Sequence, residues 1–366
     1  MERLIFILGT LVIGVMTAVL SWALSFVSAR IARRAHALDQ PCAERKIHKK
    51  PIPLFGGLGI ALTFLTAVFL LFSQGLLPDI TFKQILGLAL AVTILLVGGL
   101  TDDRWPRPAW LQFIFPLLAS AAIIISGTGI IQISDPFNSN VPWSLVWFRW
   151  DAYHLSFPAD LITLVWLMFA TYATKLLDGL DGLVAGMAVI GTAMVGALTL
   201  SPAYLQPSVA LLAGAAGGSF LGFLPRNTHP AKQFLGESGS TLAGFLLGFL
   251  AIVSSAKIAI ALAVLAIPIA DAALVVIGRL RRGASPFHGD ASHLHFRLLR
   301  AGLPHRAVVA LLWGAALAAG VIALSLQTRG KIFLVAALVA LTALGSWLAK
   351  RRQVIQESKV YEEKKK

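Results

Sequence analysis

Long apolar runs recur along almost the whole 366-residue chain and leave little else to fold with. Eleven can be marked, near residues 4–28, 54–73, 83–100, 109–126, 158–176, 183–201, 207–224, 239–255, 256–279, 307–326 and 331–349. Each approaches the ~20 residues that carry a helix across a ~30 Å hydrocarbon core. Hydrophobic residues make up 57% and charged residues 13%, about half the ~25% of soluble domains, so a soluble fold of this length has no surface to wear. The apolar content excludes disorder. One Cys excludes a disulfide framework or a Cys-rich zinc module. The net charge of +14 would suit nucleic acid, but its basic residues sit in short loops between apolar runs, so no nucleic-acid partner is expected. What remains is an all-α, polytopic integral membrane protein with about eleven transmembrane helices. Residues 1–349 read as one transmembrane domain and 350–366 as a charged tail.

The first run is too long for a signal-peptide core and lacks a small-residue cleavage site, so it reads as a retained helix. No internal repeat is evident, which counts against a transporter built from inverted halves. Twenty-five of the 31 Lys and Arg fall on the loops of one face, and the positive-inside rule makes that face cytoplasmic. The N-terminus is then outside and the C-terminus in the cytoplasm. Seven of the eight His share the inner face with Asp102, Asp103, Asp178, Asp181, Glu237 and Asp290, so the chemistry belongs there. On the outer segment 127–157, Trp143, Trp147 and Trp150 fall at helical spacing and read as headgroup-level anchors.

Five inner segments carry the reactive groups. Arg45–Gly57 is basic, with Lys46 and His48; Pro51 and Pro53 stiffen it, and Gly56-Gly57 permit close backbone approach. It suits a phosphate-bearing lipid or a nucleotide. Asp102-Asp103 places two acids after a helix C-terminus, against the helix dipole, an arrangement that metal binding, proton handling or cation pairing would justify. Asp178 and Asp181, three apart, can face one side of a turn that Gly179 and Gly182 keep open to a ligand. In Gly236-Glu237-Ser238-Gly239-Ser240, Ser238 or Ser240 can cap the next helix and leave N–H groups for an anion. Residues 279–297 bring Arg282, His293, His295 and Arg297, a plausible phosphate loop and a poor zinc site.

Taken in order, the five segments resemble the polyprenyl-phosphate N-acetylhexosamine-1-phosphate transferase family (glycosyltransferase family 4) over roughly residues 39–300. The resemblance implies one transmembrane transferase domain in a bacterial cytoplasmic (inner) membrane, with its active site on the cytoplasmic face. A membrane polyprenyl phosphate, usually undecaprenyl phosphate, would attack the sugar-linked phosphate of a UDP-N-acetylhexosamine, UDP-GlcNAc by default. Polyprenyl-diphospho-sugar and UMP would result, beginning the synthesis of a cell-envelope glycan. By resemblance Asp102, Asp103, Asp178 and Asp181 are catalytic, with Asp102 taking the proton of the attacking phosphate. Lys46, His48, Arg282, His293, His295 and Arg297 bind substrate. Mg²⁺ is the expected cofactor, on Glu237 and Asp178. The sequence leaves open whether the chain forms an oligomer.

Departures accompany the matches. Lys175 stands at the family's usual Asn, Glu237 at its Asp, Gln112 at a frequent Lys, Leu54 at a frequent Arg and Phe296 at a third His. An ammonium ~4 Å from Mg²⁺ costs about 8 kcal/mol at an effective dielectric of ~20. Lys175 and Glu237 are therefore expected to form an ion pair that replaces the metal or displaces it toward Asp178 and Asp181. Alternatively, Lys175 points away while Glu237 still ligates, or activity is lost. A catalytically silent homologue with a partner or regulatory role, and a lipid transporter, remain the competing functions.

Overall fold

The computed structural model describes residues 2–41, 50–133, 143–150, 155–254, 258–283 and 293–365. The chain runs through α1 (Glu2–Arg34), α2 (Gly56–Ser73), α3 (Phe82–Arg104), α4 (Ala109–Ile125), α5 (Ala159–Leu177) and α6 (Leu183–Thr199). It continues through α7 (Pro207–Asn227), α8 (Gly236–Val253), α9 (Ile258–Leu280), α10 (Leu294–Arg300), α11 (His305–Ser325) and α12 (Thr328–Lys365). All eleven apolar runs are helices. Among the described residues, nine are long and apolar enough to cross a membrane, while α4 and α6 are shorter. The chain is an all-α polytopic membrane protein. The seven-residue α10 lies within what the sequence presents as one loop.

Helices are the expected solution, because lipid offers no partner to an open backbone N–H or C=O. Their sidedness is inverted relative to a soluble bundle. On α1, Thr10, Thr17, Ser21, Ser25 and Ser28 are buried, while Leu4, Leu8, Leu11, Val15 and Val19 are exposed. The buried stripe meets α7, where Gly214, Gly218 and Gly222 form a ridge at four-residue spacing. A Cβ on any of the three would collide with α1 at Thr10, Gly14 or Ala18. Small residues let the backbones touch, and van der Waals packing drives association where lipid removes the hydrophobic drive. Ser21 Oγ secures the seam by donating to the Ser219 carbonyl at 2.6 Å.

The core centres on α8, the most buried of the candidate spans, which packs against α2, α3, α5 and α6. Trp166 Nε1 of α5 donates to the Gly248 carbonyl at 3.0 Å, and Thr174 Oγ1 to the Ser240 carbonyl at 2.8 Å. These bonds fix the register of α5 on α8, and so of the acids at their ends.

Short antiparallel pairs decorate both ends: β1 (Leu38–Asp39) with β2 (Ile52–Pro53), β3 (Gln132–Ile133) with β4 (Trp143–Ser144), and β5 (Val146–Trp150) with β6 (Leu155–Pro158). The helical spacing of the three Trp is therefore incidental. Residues 146–150 (Val-Trp-Phe-Arg-Trp) are rich in side chains that favour strands and pair across to 155–158, and cross-strand pairing decides their state. Trp143 and Trp147 are exposed, as anchors would be, and Trp147 meets Phe157 edge-on.

Candidate active site

The C-terminal ends of α3, α5 and α7 and the N-terminal ends of α8 and α11 meet around a cleft of about 880 Å³. Backbone bonds tie its floor together. Phe234 N–H donates to the Pro53 carbonyl at 3.0 Å, and Gly56 and Gly57 N–H donate to the Phe234 and Leu235 carbonyls at 3.2 and 3.1 Å. Gly56-Gly57 thus serve close approach to a neighbouring segment. The cleft gathers Asp102, Asp103, Lys175, Asp178, Asp181 and Glu237, drawn from three of the five sequence segments.

The adjacent acids Asp102 and Asp103 lie inside the last turn of α3, which ends at a Trp105 cap, rather than after it. Successive helical positions point them apart. Asp103 Oδ1 accepts the Glu237 N–H at 2.7 Å, and its Oδ2 accepts Ser238 Oγ at 3.1 Å. Asp103 therefore caps α8 from another helix and faces its positive end. Gly236 makes this possible: its φ is +71°, and a Cβ there would run into the Asp103 carboxylate. The capping expected of Ser238 or Ser240 is corrected accordingly. Ser238 bonds Asp103, while Ser240 Oγ turns back to the Gly236 carbonyl at 2.9 Å. Asp102 accepts the Arg107 N–H at 2.9 Å and Gln112 Nε2 at 3.1 and 3.2 Å.

Lys175, in the last turn of α5, donates to Glu237 Oε1 at 2.6 Å and to Gln112 Oε1 at 2.7 Å. Lys175 and Glu237 thus form an ion pair, and Lys175 does not point away. Beyond it the chain turns through Asp178, whose carboxyl is raised to about 7 by burial first, then by Glu237 and Asp181. Asp178 has no side-chain hydrogen-bond partner among the described residues. Asp181 Oδ2 accepts the Ala231 N–H at 3.1 Å and faces His229 Nδ1 at 2.8 Å. His229 stacks on His305 with ring centroids 4.1 Å apart. Gly179 and Gly182 do not simply open the turn. The first clears room for His295, and the second takes a φ of +82° and donates its N–H to Asn227 Oδ1.

Of the remaining expected substrate residues, those that the structure describes are not in the cleft wall. Lys46 and His48 lie outside the described residues, as do 284–292. Arg282 Nε, in the turn just past α9, donates back to the Gly278 carbonyl of that helix at 3.0 Å. His293 Nδ1 sits 2.9 Å from Asp271 Oδ2, and Leu294 N–H donates to Asp271 Oδ1 at 2.8 Å, so Asp271 holds the start of α10. Arg297 reaches α12 at the Ser346 carbonyl. His295 is buried, and desolvation lowers it to about 4, so it is neutral at pH 7. Arg282, His293, His295 and Arg297 therefore do not join the acids as a cationic wall.

His229 and His305 are cleft residues that motif reading passed over. The available signal was a His in each of two inner loops, beside Pro230 and after Pro304. Asp181, His229 and His305 each offer a ligand atom within 4.8 Å of the others, a two-His, one-carboxylate set with the chemistry of a transition-metal site. Mg²⁺ prefers oxygen ligands, as a Glu237–Asp178 site would offer. There the donor set does not fit a divalent ion, because an ammonium already occupies the bonding distance of Glu237.

A helical membrane bundle with an acid-lined cleft and an internal ammonium at one end has the makings of a membrane phosphotransferase. The profile of glycosyl transferase family 4 matches residues 85–255. The chain is 31% identical to the "Probable undecaprenyl-phosphate N-acetylglucosaminyl 1-phosphate transferase" of Bacillus subtilis, over 85% of this chain and 82% of that one. It is 31% identical to the decaprenyl-phosphate N-acetylglucosaminephosphotransferase of Mycobacterium leprae (82% and 79% covered). Against the undecaprenyl-phosphate alpha-N-acetylglucosaminyl 1-phosphate transferase of Escherichia coli the identity is 27% (81% and 78% covered). The chain belongs to this family of membrane phosphotransferases.

Proposed function

We propose that the chain transfers N-acetylhexosamine-1-phosphate, GlcNAc-1-phosphate by default, from its UDP donor to a membrane polyprenyl phosphate such as undecaprenyl phosphate. An oxygen of the lipid phosphate attacks the sugar-linked phosphorus. The bond from that phosphorus to the bridging oxygen breaks, and the bridging oxygen leaves on UMP. The product is a polyprenyl-diphospho-sugar, the starting unit of an envelope glycan. The cleft opens to the cytoplasm of a bacterial inner membrane.

One observation carries this reading: Asp102, Lys175 with Asp178, and Glu237, from three separate segments, converge on a single cleft at one end of an apolar bundle. Phosphoryl transfer asks a protein mainly for positioning and charge stabilisation. A proton on the attacking oxygen needs an acceptor of matched affinity. Asp102, the acceptor expected from resemblance, has its oxygens engaged by Arg107 and Gln112. Asp178, raised to about 7, is the better matched acid. Asp103 supports the site as the cap of α8.

The test is radiolabel transfer from UDP-GlcNAc to extractable lipid by the purified full chain, with mass spectrometry of the product and a panel of UDP-N-acetylhexosamines. Labelled diphospho-lipid and UMP are expected, and Asp178→Asn is expected to slow the formation of both. The Lys175–Glu237 pair favours a second reading, a catalytically silent homologue. No transfer from any donor in the panel would establish that alternative.

A further inference from the structure

The surroundings of Lys175 are built to hold an ammonium. Gln112 Nε2 donates to the carboxylate of Asp102 and to the Arg107 carbonyl at 3.0 Å. Those three acceptor atoms fix the amide's orientation and turn Oε1, an acceptor, onto Lys175 Nζ. Glu237 Oε1 approaches from α8, and the ring of Tyr172 lies 5.3 Å from Nζ. A carboxylate, an amide oxygen and a π face thus meet one cation from three helices. The pair is only about one-sixth exposed, at 17% and 16%, so it is well sheltered from water. It nevertheless borders the cleft beside Asp102, Asp178 and Asp181. Two of the three ammonium N–H groups are used; the third has no acceptor among the described residues. A purely structural ion pair would not need a place in the wall of an acid-lined cleft.

Resting on the transferase reading, we propose that Lys175 is the built-in cation of this active site. Its ammonium stands where a divalent ion on Glu237 would stand, and its remaining N–H takes a phosphate oxygen of the donor's diphosphate. A donor fixed before substrate arrives needs no reorganisation during the reaction. A tethered cation is also indifferent to the free concentration of divalent ions. The chain is therefore a transferase whose diphosphate contact is independent of metal. Gln112 acts as the positioning residue that holds both Asp102 and Lys175.

The experiment pairs transfer kinetics with Mn²⁺ binding followed by electron paramagnetic resonance, on the purified full chain. Wild-type turnover is expected to be unchanged, within about twofold, in excess EDTA. Lys175→Asn is expected to lose about 100-fold in EDTA, the scale for removing one preorganised donor, and to recover in part with Mn²⁺ or Mg²⁺. Lys175→Arg keeps the cation and should stay resistant to chelator. Asp181, His229 and His305 can bind Mn²⁺ on their own, so the binding readout is the part that Glu237→Gln removes. That part is expected to be zero in wild type and one site in Lys175→Asn. A wild-type Mn²⁺ site that disappears in Glu237→Gln, or wild-type turnover abolished by EDTA, overturns the proposal. If wild type transfers nothing under any condition, the transferase reading fails, while the Mn²⁺ titration still decides whether Lys175 excludes a divalent ion. That comparison needs only wild type and Glu237→Gln, so it survives a Lys175 variant that fails to fold.

Discussion

Asp102 and Asp103 are neighbours in the chain with different tasks, and their asparagine or alanine variants should part company. Asp103→Ala strips the Glu237 N–H and the Ser238 hydroxyl of their acceptor. Loss of a cap of this kind costs ~1–2 kcal/mol, so a lower melting temperature in detergent is expected. Asp102→Asn keeps an oxygen for the Arg107 N–H, so it should leave the melting temperature near wild type, and it should slow transfer by loosening Gln112 and with it Lys175. Equal destabilisation by both would mean that Asp102 is structural too. Asp178 adds a pH signature. An unfolded Asp titrates near ~3.9, whereas the folded carboxyl titrates at about 7. Between those values the folded chain holds a proton that the unfolded chain has lost, so Asp178's contribution to stability falls as pH rises and is flat above the window. As a base Asp178 must be ionised, so kcat/KM should rise with pH through about 7 and then level. Asp178→Asn should be slow throughout and lack that limb; a variant that retains it assigns the limb elsewhere. The clustering of acids with Gly marked Asp102, Asp178 and Glu237 in the sequence. That Asp103 faces α8 while Asp102 faces Gln112 was not legible, because it depends on which helices pack beside α3. His229 and His305 were hidden for the same reason: they meet only after two distant loops close on Asp181.

At the scale of elements, hydropathy alone located the eleven apolar helices, because a lipid-facing segment in a helical bundle satisfies its backbone within itself. It failed where lipid does not decide. The outer segment pairs as strands through β5 and β6, and α10 forms because Asp271, some twenty residues upstream, holds its first turn. Neither partner is visible in a window moved along the chain. The α1–α7 seam is the element most open to a direct test. Gly218→Val would push a side chain into Thr17 and the Gly14 carbonyl. Overpacking of this sort costs ~1–3 kcal/mol. The expected outcome is a clear drop in melting temperature, against no drop for Gly345→Ala, where a Cβ meets nothing within 4 Å. Similar behaviour of the two variants would show that α1 does not depend on the glycine ridge.

For the whole molecule, the side of the membrane on which the cleft opens decides what it can meet. All the helix ends that build it lie at one end of the bundle, and the loops there carry most of the Lys and Arg. That bias sets orientation during insertion. The prediction is made with Cys42→Ser, which leaves no cysteine, and one cysteine returned at a time. Arg281→Cys lies just past α9, on the cleft end, and Tyr204→Cys lies in the α6–α7 connection at the other end. In intact cells whose outer barrier has been removed, a membrane-impermeant maleimide should label position 204 and spare 281; permeabilisation should expose both. The opposite pattern would turn the cleft away from the cytoplasm. A nucleotide-sugar donor is made inside and is too polar to cross the lipid unaided. An outward cleft could therefore hold the same acids and the same ammonium and still never see its substrate, which makes orientation as decisive for function as any single carboxylate.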